Sequence, residues 1–213
     1  MTLLGISSSP VQGGNVDRMV QFVLNRTGKD TQFVNLARLS FSPCQACAHL
    51  CAGDNLCKLD DDLQPLYAEL VQAEALVLGT PSYFNTMNGY MTVFLERLWS
   101  FRHQRFPLQG KPYVVVASGG VQSPDQAVES VKSRMDAYRA AFVGAVRFKS
   151  SILPCFTCGY GTVCAIGASQ KVYGEKGRKQ LKVTGHSFKR WEDDPEVFEH
   201  VEMIAGKLKD LNV

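Results

Sequence analysis

A chain of 213 residues, 45% hydrophobic and 20% charged, can bury a core for one domain and is too apolar for a disordered or fibrous chain. Its formal charge is only +3, and its 23 Lys and Arg are spread out, with one short cluster at Lys176, Arg178 and Lys179 read as a solvated loop; nucleic acid is not an expected partner. No run approaches the roughly 18 apolar residues of a membrane span, and Met1 to Ser7 lack signal-peptide features, so a soluble cytoplasmic protein is expected.

Short apolar runs alternate with amphipathic segments, the pattern of a parallel sheet covered by helices on both faces. The first strand is Thr2 to Ile6, followed by Ser7-Ser8-Ser9-Pro10. A helix begins at Asn15, read as its N-cap, with Val16, Met19, Val20 and Val23 at helical spacing. A second strand, Thr31 to Leu36, precedes a cysteine-rich loop over 43–58 and a helix carrying Leu63, Leu66, Leu70 and Val71, with Asp60, Asp61 and Asp62 assigned to its capping. The third strand, Ala75 to Leu78, runs into Gly79-Thr80-Pro81-Ser82-Tyr83-Phe84-Asn85 and a helix from about Gly89 to Phe101.

The fourth strand, Tyr113 to Ala117, closes in Ser118-Gly119-Gly120. Ser123 as N-cap, Pro124 in the first turn and Gln126 as capping-box partner predict a helix to about Phe142. A fifth strand is expected over Ala145–Leu153. The Gly, Cys and Lys-rich stretch 154–190 reads as an excursion from the sheet, and Asp194-Pro195 caps a last helix with Val197, Phe198, Val201, Ile204 and Leu208. A single domain over 1–213 is expected.

In an open parallel sheet, ligands bind beyond the carboxyl ends of the strands where strand order reverses. The loop after the first strand offers the hydroxyls of Ser7 and Ser9, the flexible Gly13 and Gly14, and a helix N-terminus at Asn15, which together suit a monophosphate. It has neither the lysine of a P-loop nor a G-x-G-x-x-G spacing; taken alone, an ordinary strand-to-helix turn has the same composition. Pro81, Ser82, Tyr83, Phe84 and Asn85 add aromatic and amide groups fit for a flat heteroaromatic ring. Ser118, Gly119 and Gly120 let backbone approach a ligand closely.

These three loops, with Cys44-Gln45-Ala46-Cys47 and Leu59-Asp60-Asp61-Asp62, resemble the NADPH-dependent FMN reductase and iron-sulfur flavoprotein group, over residues 1 to about 150. The resemblance implies a flavodoxin-like three-layer α/β sandwich with a five-stranded parallel sheet in order 2-1-3-4-5. It also implies bound FMN and dimeric or tetrameric assembly. Ser7, Ser9, Asn15, Pro81 to Asn85, Ser118 and Gly119 would then contact FMN. The protein supplies positioning and the flavin supplies the redox chemistry, so no side-chain acid or base is required. An oxidoreductase taking electrons from NAD(P)H or reduced ferredoxin is expected; a non-catalytic carrier or redox sensor, or a zinc-stabilised module without flavin, are the alternatives. The acceptor makes no sequence-specific demand.

Seven cysteines fall in two groups. Cys44, Cys47, Cys51 and Cys57 have the spacing C-x2-C-x3-C-x5-C, and four thiolates on one loop suit an iron-sulfur cluster or zinc; unligated thiols are the plain alternative. The resemblance implies [4Fe-4S], although its usual motif has two residues in the second gap where this chain has Ala48-His49-Leu50. Cys155, Cys158 and Cys164 are one ligand short of a closed site, which His186, a cysteine of the first group or a neighbouring subunit could complete; an inert loop, or a redox pair at Cys155 and Cys158, are the alternatives. Arg97, Arg102, His103 and Arg105 are read as dipole partners at a helix C-terminus rather than as NADPH ligands, and Trp99 and Phe101 as packing or contact residues.

Overall fold

The computed structural model describes residues 2–151 and 153–211, excepting the side chains of Pro154 and His186. The buried apolar runs form five parallel strands: β1 (Thr2–Ser7), β2 (Asp30–Asn35), β3 (Ala75–Tyr83), β5 (Pro112–Gly119) and β6 (Ala141–Lys149). Their spatial order is β2-β1-β3-β5-β6, and the short β4 (Thr86–Met87) folds back antiparallel on the end of β3. Counting the parallel strands alone, this is the expected 2-1-3-4-5 order; the β3–β4 hairpin was not foreseen.

Helices α1 (Asn15–Arg26) and α7 (Pro195–Lys209) cover one face, and α3 (Gln64–Gln72), α4 (Gly89–Arg97) and α5 (Asp125–Asp136) the other. Alternation along the strands sorts the two cores, because successive side chains point to opposite faces. Leu4, Ile6, Leu76, Leu78, Tyr113 and Val115 pack with α3 to α5, whereas Leu3, Ala75, Val77, Val114 and Val116 pack with α1 and α7. Gly79 lets α1 come close: a Cβ there would stand 2.5 Å from Val20 Cγ2 and 2.8 Å from Val16 Cγ1. Gly79→Ala is therefore expected to overpack this contact and destabilise by about 1–3 kcal/mol; a denaturant midpoint equal to wild type would show that α1 can shift outward freely.

Several boundaries differ from expectation. Helix α5 stops at Asp136, and Phe142 belongs to β6, which spans Ala141–Lys149 rather than Ala145–Leu153. The chain reverses through Arg139 at φ +60°, with the Ala140 N–H reaching back to the Met135 carbonyl; a non-glycine residue in the left-handed region left no glycine to mark the stop. Pro124, not Ser123, is the N-cap of α5, and the Ser123 hydroxyl bonds Asp125 instead. Gly14 is the N-cap of α1 and Asn15 is its first residue. The 154–190 stretch contains a helix, α6 (Ala168–Gln180), kinked at Gly174, so Lys176, Arg178 and Lys179 lie on a helix; Arg178 is buried and donates to the Thr162 carbonyl. Asp194 caps α7 as expected, accepting from the Val197 N–H. Among the described residues, no helix is long and apolar enough to cross a membrane.

Candidate flavin and cysteine cavities

Strand register brings the predicted loops to one edge: Ser7 pairs with both Asn35 and Gly79, and Pro81 with Ser118. The loop after β1 is built around Asp17, a residue sequence reasoning passed over. Its buried carboxylate accepts from Ser7 Oγ at 2.5 Å, the Gly13 N–H at 2.9 Å and Asn35 Nδ2 at 3.1 Å. Ser7 is thus placed beneath the loop with its hydroxyl bonded to Asp17. Ser9 bonds Val11 and lines the cavity above. An acid in the first turn behind Gly13-Gly14 was the available signal.

Asn88 ties this loop to the next: its amide donates to the Ser8 carbonyl at 2.7 Å while its oxygen caps α4 through the Met91 N–H. Asn15 spends its side chain on the chain near the C-terminus, donating to the Lys189 carbonyl at 3.1 Å and accepting from the Trp191 N–H at 3.2 Å. The first turn of α1 has no side-chain cap. Its N–H donors therefore border a cavity of about 370 Å³ lined by Ser9, Gly14, Asn15, Pro81 and Ser118 on one side and Phe188, Lys189 and Arg190 on the other. Unsatisfied N–H groups at the positive end of a helix dipole fit a phosphate.

Next to it lies an apolar cavity of about 330 Å³ lined by Pro10, Phe41, Pro43, Tyr83, Tyr90 and Val93, of a character that fits a flavin ring. Ser82 and Tyr83 sit in the β3–β4 hairpin, whose two tip residues, Phe84 and Asn85, have φ +51° and +61°. This is the left-handed conformation of a two-residue hairpin turn, unfavourable for a bulky side chain by about 1–2 kcal/mol, and Phe84 is fully exposed there. Gly119 serves its own loop: a Cβ would stand 2.4 Å from the Gln122 carbonyl oxygen. The Gly119 and Gly120 carbonyls accept from the Ser150 and Ser151 N–H groups that follow β6, and neither glycine borders the phosphate-side cavity.

The four clustered cysteines line a third cavity, of about 380 Å³, with Glu96, Arg97, Trp99 and Ser100; Cys51 ends the short helix α2 (Ala48–Cys51). All are free thiols. Burial pushes the Cys51 thiol pKa up, and neighbouring Cys57, Cys47 and Cys44 push it the same way. Cys51 Sγ lies 3.2 Å from His103 Nε2, so His103, the C-cap residue of the 3-10 turn Leu98–Arg102 that follows α4, sits at a helix end as expected and also touches the cysteine loop. Arg97 is no surface dipole partner. Its fully buried guanidinium bonds Asp61 at 2.5 and 3.2 Å and the Ser42 carbonyl at 2.9 Å, while Asp62 accepts from the Ser40 N–H. Asp61 and Asp62 thus fasten the start of the cysteine loop in place of the capping expected of them, since Leu63 is the N-cap of α3 and the helix has no side-chain cap.

Among the described residues, no three His, Cys, Asp or Glu side chains gather closely enough to grip one metal ion. The four thiols border one cavity, and soft sulfur ligands of this number fit either an iron-sulfur cluster or zinc. Arg97 Nε and Ser100 Oγ are buried on this wall without hydrogen-bond partners. Such donors fit an anionic cluster whose sulfurs accept hydrogen bonds. At the second group, Cys158 Sγ is 2.9 Å from the Cys155 carbonyl and is exposed; the His186 side chain, a possible fourth ligand, lies outside the described residues.

A parallel sheet in 2-1-3-4-5 order, with cavities where the strand order reverses, defines a flavodoxin-like α/β protein. The family model described as NADPH-dependent FMN reductase matches residues 1–151, and the chain belongs to that family. An iron-sulfur flavoprotein of Methanocaldococcus jannaschii is 30% identical over 129 residues, 59% of this chain and 66% of its own length, slightly under two thirds. One of Methanosarcina thermophila is 25% identical over 68% of this chain and 78% of its own. In fold, an oxidoreductase from Corynebacterium diphtheriae superposes with a TM-score of 0.59 over 98% of this chain and 94% of that one, at 13% identity.

Proposed function

We propose that this chain is an FMN-dependent oxidoreductase that takes electrons from a nicotinamide or a reduced ferredoxin and passes them towards an acceptor through a [4Fe-4S] cluster. The observation that carries this reading is the shared wall of two cavities. The adjacent residues Pro43 and Cys44 line the apolar and the cysteine cavity in turn, and α4 gives Tyr90 and Val93 to the first and Glu96 and Arg97 to the second. Serial redox centres need such proximity.

In this reading Ser9, Gly14 and Asn15 border the flavin phosphate, with Ser7 and Gly13 supporting the loop from below. Pro81, Ser118 and Tyr83 flank the remainder, while Ser82, Phe84, Asn85, Gly119 and Gly120 shape the surrounding turns. Cys44, Cys47, Cys51 and Cys57 hold the cluster. When bound, the flavin supplies hydride and one-electron chemistry; the chain's residues bind, orient and exclude water.

The test is the visible spectrum and metal content of anaerobically purified protein. Flavin bands, an iron-sulfur shoulder with about four irons per chain and NAD(P)H oxidation with an artificial acceptor are expected; light scattering on the same sample reads the dimer or tetramer that the resemblance implies. Cys51→Ser should lose iron while keeping FMN. Iron-free, zinc-loaded protein would sink the cluster, and protein that neither carries nor takes up FMN would sink the whole reading.

A further inference from the structure

We propose that residues 185–193 form a phosphate strap, in which Lys189 and Arg190 supply the cations that the loop after β1 lacks and bind the flavin 5′-phosphate. The proposal rests on the flavin reading above. That loop offers hydroxyls and amides but no positive side chain free to meet a phosphate dianion. Arg18, which also lines the cavity, is committed: Nε bonds Glu192 at 2.6 Å, one terminal nitrogen bonds the Gly13 carbonyl at 2.6 Å, and the other bonds Asn15 Oδ1 at 2.7 Å; Arg38 reaches the loop at the Pro10 carbonyl, at 3.5 Å.

The strap is held in register by independent anchors. Asn15 clasps the Lys189 carbonyl and the Trp191 N–H, Trp191 is buried between Phe22 and Phe198, and a Thr184–Ser187 capping box sets the turn before it. Lys189 and Arg190 consequently line the cavity opposite the uncapped end of α1. Among the described residues no carboxylate pairs with Lys189, and Arg190 Nε stands 3.6 Å from a Glu192 already engaged by Arg18. Lys189 and Arg190 also line a second cavity with Asp193, Asp194 and Glu196. A turn of either side chain towards the first would set a cation beside the helix N-terminus and Ser9 and Ser118, a match for a phosphate monoester, for which charge-assisted bonds are the strong ones. Because Lys189 and Arg190 belong to a segment outside the 1–151 family match, they add to the family's loop rather than repeat it.

The experiment titrates FMN and riboflavin into flavin-free wild type and a Lys189→Gln/Arg190→Gln variant, following flavin fluorescence. The variant keeps Asn15 and Trp191, and its thermal melt checks that the strap stays docked. About tenfold weaker FMN binding, with riboflavin unchanged and a shallower salt dependence, is expected; Lys189→Arg, which keeps the charge, should stay near wild type. Unchanged FMN affinity in the double variant overturns the proposal, even if NADPH binding weakens. Equal losses for both flavins also overturn it, since the strap would then act by packing. Wild type that binds neither flavin removes the flavin reading, and the strap falls with it.

Discussion

Asp61→Asn is expected to destabilise the protein by about 3 kcal/mol, because it strips the partner from a fully buried guanidinium. A drop of roughly 6–12 °C in Tm follows for a domain of this size. The loss arises from Arg97 left charged and unpaired rather than from the intrinsic worth of the pair, so Asp61→Leu combined with Arg97→Met should recover much of it. Acid provides a second check. Burial pushes the Asp61 carboxyl up, but hydrogen bonding and charge from Arg97 outweigh it and hold the group below its ordinary value. A depressed folded-state pKa gives stability that is complete above the unfolded value, near about 3.9, and lost as pH falls through the folded value. Wild type and Asp61→Asn should therefore differ most near neutrality and converge in strong acid; a constant gap down to pH 2 would refute the ion-pair account. Because Arg97 also holds the Ser42 carbonyl, the variant should expose Cys44 to thiol reagents faster than wild type.

Trp191→Ala should cost about 3–5 kcal/mol, the range for removing a large buried aromatic. The indole is 1% exposed, sits 5.1 Å from Phe22 edge-on and stacks on Phe198 at 6.0 Å, so the void opens between α1 and α7. Trp191 Nε1 has no hydrogen-bond partner, which predicts that Trp191→Phe loses far less, since the lost group is an unsatisfied donor. Urea denaturation of both variants separates the outcomes. Equal losses would place the value of the residue in its nitrogen, against the packing account.

The sheet was legible because its inner strands β1, β3 and β5 are buried on both faces over most of their length and therefore read as apolar runs. Tyr113 to Ala117 is the clearest case. The loops at the carboxyl edge were legible for the same reason, since strand ends fix where they emerge. What escaped was set by partners distant in the chain. Asn15 has the chemistry of an N-cap, yet Lys189 and Trp191 claim its side chain from more than 170 residues away. Arg97 sits at a helix end where a surface role is normal, and only the folded chain brings Asp61 to it. Lys189 and Arg190 lie in a stretch whose composition marks it as an excursion, and nothing local indicates that Trp191 carries it back over the first loop. The end of α5 was misplaced because Arg139 takes a conformation that glycine usually signals.

The nine-residue α4 carries a last consequence, for how its length can vary. One residue inserted near Tyr90 would turn every later side chain by about 100° around the helix axis. Val93 would leave the apolar cavity, and Glu96 and Arg97 the cysteine cavity, in the same event. Single substitutions along α4 can be absorbed one cavity at a time. Insertions and deletions cannot, so length variation in this region belongs beyond His103, in the connection to β5, where added residues turn no residue lining either cavity.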